Sequence, residues 1–236
     1  MKAFAIALAV IALCGCGSVH NTLAQDLAWG RLAPPAPAAG VPHSPAMAAA
    51  SAAAVSPTAF PASAPLWRRG FEWAYRYEEA DAAGTYVWSV DRQETIDGVS
   101  YWVIRAGTRE IFYRGHDLAS AHETVDGVVI TENVPPRLNF TWPLSPGMTW
   151  EQSFRLERPR DRQTTHYTRV WTVDPEETVA VAAGSFRAVR IVQRGKQTGR
   201  IVNELWYAPE VMNWVKFREH LTRGTREREL TSYRLR

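Results

Sequence analysis

Beyond position 16 the chain contains no cysteine: both of its 2 cysteines lie in "IALCGCGS" (11–18) of a 236-residue sequence. A disulfide framework is therefore excluded for the rest of the molecule. The C-x-C spacing, with no second pair, matches neither a redox C-x-x-C nor a zinc site. Long apolar runs are lacking too. The longest, "AFAIALAVIAL" at 3–13, falls short of the about 20 residues that a membrane-spanning helix needs. Charge is nearly balanced, Lys+Arg 27 against Asp+Glu 24 for a net of +3, which argues against nucleic acid as a partner.

Catalytic signatures are missing as well. There is no G-x-S-x-G, so a nucleophile elbow has no candidate. No H-E-x-x-H occurs, and Gly195-Lys196-Gln197-Thr198 lacks the upstream glycine of a phosphate-binding loop. His116, Asp117, His122 and Glu123 are the nearest approach to a metal or acid–base cluster, and we read them as exposed turn residues. No catalytic residue, metal ligand or cofactor is assigned, and the chain is read as non-enzymatic.

What is present begins at the N-terminus. Met1-Lys2 followed by an apolar segment and then small residues is the layout of a secretory signal peptide. Leu13-Cys14-Gly15-Cys16 resembles a bacterial lipobox, which implies a signal peptide over 1–15 and Cys16 as the lipidated residue. Cys14 would leave with the signal peptide. Two acyl chains such as palmitate suffice for stable anchoring, at about 0.8 kcal/mol per buried CH₂. Gly17 in the following position, by the same resemblance, implies the outer membrane, with the protein facing the periplasm.

Residues 16–65 then form the anchor and a tether. "LAPPAPAAGVPHSPAMAAASAAAVSPTAFPASAP" is Ala, Pro and Ser with almost no charge; its prolines oppose a helix and its few large apolar residues oppose a core. We read it as a disordered, partly polyproline-II tether. At about 5–6 Å × √n it reaches roughly 40 Å.

From 66 to 236 the dominant signal is period-2 alternation. "FEWAYRY" puts Phe71, Trp73, Tyr75 and Tyr77 on one face, and "TYVWSV" puts Tyr86 and Trp88 together. Asp97-Gly98 and Asp126-Gly127 are strong hairpin signals. Further strands are predicted at 148–157, 166–173, 178–183, 185–194, 200–208, 213–221 and 225–235, and no segment carries a useful helical stripe. The expected fold is all-β: an antiparallel, strongly curved sheet, a half-barrel or open barrel of about ten to twelve strands. Acidic residues concentrate in 71–132 and basic ones in 190–236, which we read as cross-strand pairing rather than as a lipid-headgroup patch.

Three motifs carry a resemblance. "TWPLSPGMTW" (141–150), "VAAGSFRAVRI" (181–191) and "ELWYAPEVMNWVK" (204–216) resemble a bacterial envelope lipoprotein family of unknown function. The resemblance implies a β-rich, half-barrel-like domain distantly similar to lipoprotein carriers, and it supplies no catalytic residue. The functional expectation is a lipoprotein attached to the membrane by its N-terminal lipid. Its β-domain would bind an apolar ligand or an envelope protein, with Phe71, Trp73, Tyr75, Tyr77, Tyr86 and Trp88 as the candidate ligand face. The alternative is an assembly factor with a filled core that binds protein partners alone. The anchor is directly testable: Cys16→Ser abolishes incorporation of labelled palmitate while Cys14→Ser leaves it intact, and the reverse result reassigns the anchor to Cys14.

Overall fold

The computed structural model describes residues 60–236; the expected signal peptide, Cys16 and the tether as far as residue 59 lie outside the described residues. Twelve strands follow one another: β1 (Glu72–Glu79), β2 (Ala82–Ile96), β3 (Val99–Ala106), β4 (Arg109–Arg114), β5 (Ser120–Val125), β6 (Val128–Arg137), β7 (Thr149–Arg158), β8 (Gln163–Val181), β9 (Gly184–Gly195), β10 (Ile201–Ala208), β11 (Asn213–His220) and β12 (Thr225–Arg234). Each pairs with its sequence neighbour, and β1 also pairs with β12, so the sheet closes into an antiparallel barrel. The all-β, ten-to-twelve-strand reading agrees with this architecture. The curvature continues to full closure, which leaves no sheet edge to protect. At the closing seam Arg234 reaches Glu72 at 2.7 Å and Arg76 reaches Glu229 at 2.7 Å.

Local chemistry sets the turns. Asp97-Gly98 (φ 51° and 77°) and Asp126-Gly127 (φ 51° and 74°) both take the left-handed conformation. Two consecutive residues at positive φ give the hairpin turn whose twist matches the flanking strands. Alternation then sorts the side chains. Trp73 and Tyr75 are fully buried, while Glu72 and Arg76 on either side of them face out. On the outside, cross-strand ion pairs recur, such as Arg92–Glu110 at 2.7 Å, Arg105–Asp91 at 3.1 Å and Arg218–Glu227 at 2.6 Å. A membrane-spanning barrel instead presents an apolar band to lipid. The basic C-terminal region meets the acidic N-terminal one at the closing seam, where Arg234 pairs with Glu72 and Arg226 with Glu79, and each exposed pair on the barrel contributes about 0–1 kcal/mol.

One end of the barrel is plugged. The segment ahead of β1 crosses it, with Phe60 packed on the core, Ala64 at 8% exposure and Trp67 at 3%. Among the described residues, packing on the core reaches back to Phe60. Trp67 Nε1–H donates to the Met212 carbonyl at 2.9 Å and Trp73 Nε1–H to that of Val211 at 2.9 Å. The β6–β7 connection adds Phe140 and Leu144 to the same core, and Trp142 Nε1–H bonds the Asp117 carbonyl at 3.2 Å. The "WPLSPG" turn is thus part of this lid.

The wall is thinnest between β6 and β7, where pairing is confined to Glu132↔Glu157, Asn133↔Leu156 and Val134↔Arg155. Beyond Val134 the side chain of Gln152 stands in for a strand. It accepts from the Leu138 amide at 2.8 Å and donates to the Pro136 carbonyl at 2.9 Å. These bonds satisfy backbone groups that would otherwise lack partners.

Trp67 joins the plug to the barrel, so Trp67→Ala lowers unfolding free energy by about 3–5 kcal/mol, measured by urea titration. A change below about 1 kcal/mol would mean that the segment rests on the barrel without supporting it.

Candidate functional site

The lumen has two halves, one aromatic and one charged. Toward the plugged end the inward positions are aromatic. Tyr75 stacks on Trp214 (centroids 3.9 Å apart) and donates its hydroxyl to the Trp214 carbonyl at 3.0 Å. Trp88 meets Trp214 edge-on at 5.5 Å, and Trp67 meets Trp73 at 5.3 Å. Such ring pairs add about 0.5–1.5 kcal/mol each beyond their area. Burial holds the Tyr75 phenol well above its ordinary pKa.

The six residues of the candidate ligand face all lie on β1 and β2 or just ahead of them. Phe71, Trp73, Tyr75 and Trp88 are buried, while Tyr77 and Tyr86 are partly exposed. The Tyr77 ring covers Gly84 so closely that a Cβ there would lie 2.8 Å from it. The faces of β1 and β2 do come together, as alternation implied, with Trp73 opposite Trp88 and Tyr75 opposite Tyr86. What meets them comes from the strands beside β1 across the closing seam and from the plug. Closure brings Trp214 and Leu230 against the same rings, and the plug adds Trp67. Four of the six side chains are thereby buried in the core, and Tyr86 packs against it.

Toward the other end the inward positions are charged. Arg109 Nη1 donates to Glu123 at 2.9 Å, with side chains 6% and 10% exposed. Arg228 Nη2 reaches Glu219 at 2.7 Å, and Arg226 bridges Glu219 and Glu79. Burial pushes the Glu123 carboxyl above the usual range, opposed by the nearby cations of Arg109, Arg137 and Arg228. A buried pair of this kind contributes little net stability, but removing one partner costs about 3–5 kcal/mol. Its effect is to make this half of the lumen polar.

Between the halves a cavity of about 90 Å³ remains. Its lining mixes Trp88, Tyr113 and Phe154 with Glu123, Arg137 and Arg228. Of the six candidate face residues only Trp88 touches it. It has room for a few waters and is well below the about 300–1,000 Å³ of ordinary ligand pockets. Several lining groups are buried without a partner among the described residues: Asn133 Oδ1, Asn213 Nδ2 and Arg137 Nε.

The charged half was not read from the sequence, although part of its signal was present. In "TREREL" Arg226 and Arg228 share parity with Leu230, an ordinary core residue, and all three are buried. Arg137 gave no such signal, because Pro135-Pro136 interrupt the alternation ahead of it. The His116, Asp117, His122 and Glu123 group is dispersed. Glu123 is buried against Arg109 rather than exposed in a turn, whereas the His122 ring stacks on Phe112 at 4.0 Å. Asp117 is held by Arg114 at 2.6 Å, and His116 is exposed. Among the described residues no group of three or more His, Cys, Asp or Glu side chains is arranged to hold a metal ion.

No protein-family model matches the chain, and no curated protein matches it. Solved structures similar to it include a candidate lipoprotein from Parabacteroides distasonis, with 12% identity and TM-score 0.40 over 71% of this chain and 96% of its own. A candidate exported protein with YmcC-like fold from Bacteroides fragilis has 13% identity and TM-score 0.42, over 74% and 100%. The hypothetical lipoprotein YmcC of Escherichia coli has 11% identity and TM-score 0.36, over 69% and 84%.

The described interior holds a further cation. Arg158 shares the inward face of β7 with Phe154 and Leu156 and is 3% exposed, and its Nε, Nη1 and Nη2 have no hydrogen-bond partner among the described residues. A buried charge in that state opposes folding. Arg158→Met is expected to raise stability by on the order of 1–3 kcal/mol, read from the urea midpoint at constant m-value. A loss of stability would show that the guanidinium acquires a partner in solution.

Proposed function

We propose that this chain is a non-catalytic bacterial lipoprotein, anchored through Cys16 to the outer membrane and facing the periplasm, that acts as a protein-binding scaffold through the outside of its barrel. One observation carries the choice between apolar-ligand binding and protein binding: the aromatic face is covered by side chains of the neighbouring strands β11 and β12 and of the plug, with Trp73 and Tyr75 at 0% exposure and Trp88 at 2%. An acyl chain would need space that the remaining cavity of about 90 Å³ lacks. The charged exterior fits a domain that stands in the aqueous periplasm, with its lipid rather than its strands meeting the membrane.

For contact with a partner the exterior offers a depression of about 390 Å³ beside the thin part of the wall. Ser153, Arg155, His166, Thr168 and Gln197 line it. Val134, Phe154 and Tyr167 complete the lining, and a mixed polar and apolar surface of this kind suits a reversible contact between envelope proteins, whose interfaces are about as polar as the rest of the surface.

Two measurements test the reading together. Fatty acids and apolar dyes leave the thermal transition of the purified domain unchanged, and Trp73→Ala costs about 3–5 kcal/mol. A photo-crosslinking amino acid at Ser153 or Thr168 traps an envelope protein in intact cells, whereas one at Val87, on the far side of the barrel, does not. Saturable stabilisation by a fatty acid, equivalent to about 2.7 kcal/mol at 100 times its Kd, would return the assignment to an apolar-ligand carrier.

A further inference from the structure

We infer that the lumen holds a binding site for a small oxyanion, a phosphate, sulfate or carboxylate group, centred on Arg137. The site is separate from the protein-binding exterior and does not depend on it.

The argument starts from charge. Two carboxylates line the cavity, Glu123 and Glu219, and each is engaged at hydrogen-bond distance by another arginine, Arg109 at 2.9 Å and Arg228 at 2.7 Å. Arg137 also lines the cavity, yet it makes no ion pair or hydrogen bond with its side chain among the described residues, and its Nε is shielded from solvent. It lines the same cavity as Glu123 and opposes the upward push of burial on that carboxyl. Arg137 is partly exposed and its guanidinium donates to no protein carboxylate at hydrogen-bond distance among the described residues, so its donors are open to an oxyanion that enters from solvent.

The neutral groups around the cavity have the right character. Asn213 is 3% exposed; its Oδ1 accepts from the Trp214 amide at 2.9 Å, and its Nδ2 donor has no partner among the described residues. Asn133 is anchored by Nδ2 to the Ser120 carbonyl at 3.1 Å and leaves Oδ1 free, suited to a bridging water or to the hydroxyl of a protonated oxyanion. The volume admits an ion of a few heavy atoms and excludes a nucleotide or sugar. Partly exposed Asn139 and Asn203 on the lining place the cavity within reach of solvent. Guanidinium is the group of choice for such a ligand, because its planar fork matches two oxygens at once.

The test uses the processed chain and inorganic phosphate as the probe, with sulfate and acetate as the other arms and sodium chloride at matched ionic strength as the control. Calorimetry is expected to show saturable, one-to-one binding, with a rise in melting temperature beyond that given by chloride. Arg137→Gln should weaken the affinity about tenfold or more, and ³¹P line broadening of phosphate should disappear with it. Should that variant fail to fold, Arg137→Lys, which keeps the charge but loses the fork, is expected to show a smaller loss of affinity. Acetate binding as tightly as phosphate identifies a carboxylate as the natural group. A shift no larger than that of chloride, or undiminished binding in both variants, overturns the proposal and leaves the cavity to water.

Discussion

The pairing of β1 with β12 is the constraint from which the other features of the barrel follow. It joins the first and last strands of the described domain, through seven residue pairs from Glu72↔Arg234 to Glu78↔Glu227 with one register shift after Ala74. Without it both strands would present unpaired backbone groups and the aromatic face of β1 would open to water. With it the sheet loses its edges, and every inward side chain must share one enclosed space. Closure so distant in sequence is entropically demanding, and the fully buried aromatics beside the seam provide the compensating burial.

Enclosure explains the division of the interior. A twelve-strand cylinder has more lumen than aliphatic side chains fill easily. Here rings occupy one half and paired charges the other. Trp67, Trp73, Trp88 and Trp214 interlock in the first, and two of their indole N–H groups are satisfied by the Met212 and Val211 carbonyls. In the second, Arg109–Glu123 and Arg228–Glu219 satisfy each other at a desolvation cost that nearly cancels their attraction. Such pairs add little to stability but make that half of the lumen hospitable to water and ions. Arg137 lines this polar half without a carboxylate at hydrogen-bond distance among the described residues.

The plug and the thin seam contrast in how they are held. The 60–71 segment and the β6–β7 connection cover the aromatic end with apolar side chains, where the bare rim of the barrel would expose rings. Between β6 and β7 the ladder ends after three pairs, and Gln152 completes the wall with a side-chain amide. Side-chain bonds of this kind are fewer and more easily exchanged than a continuous ladder, so local opening is expected there before anywhere else in the wall.

The sequence by itself determined the class, the strands and the turns. Period-2 alternation placed Trp73 with Tyr75 and Tyr86 with Trp88, and two Asp-Gly pairs marked hairpins whose positive φ values the structure displays. These features depend on neighbours a few residues apart, and so local chemistry is enough to reveal them. Even the inward Arg226 and Arg228 were legible in principle from their parity with Leu230. The tertiary structure alone decided whether the sheet would close, which distant strands would flank the aromatics and which charges would line a cavity. Alternation says which residues share a face but not which distant strand lies beside them. Trp214 against Tyr75 is a contact across 139 residues of chain. Arg137 stands alone because its neighbouring carboxylate Glu123, on another strand, already belongs to Arg109. Both facts come from the three-dimensional meeting of distant segments, to which no short-range pattern is sensitive.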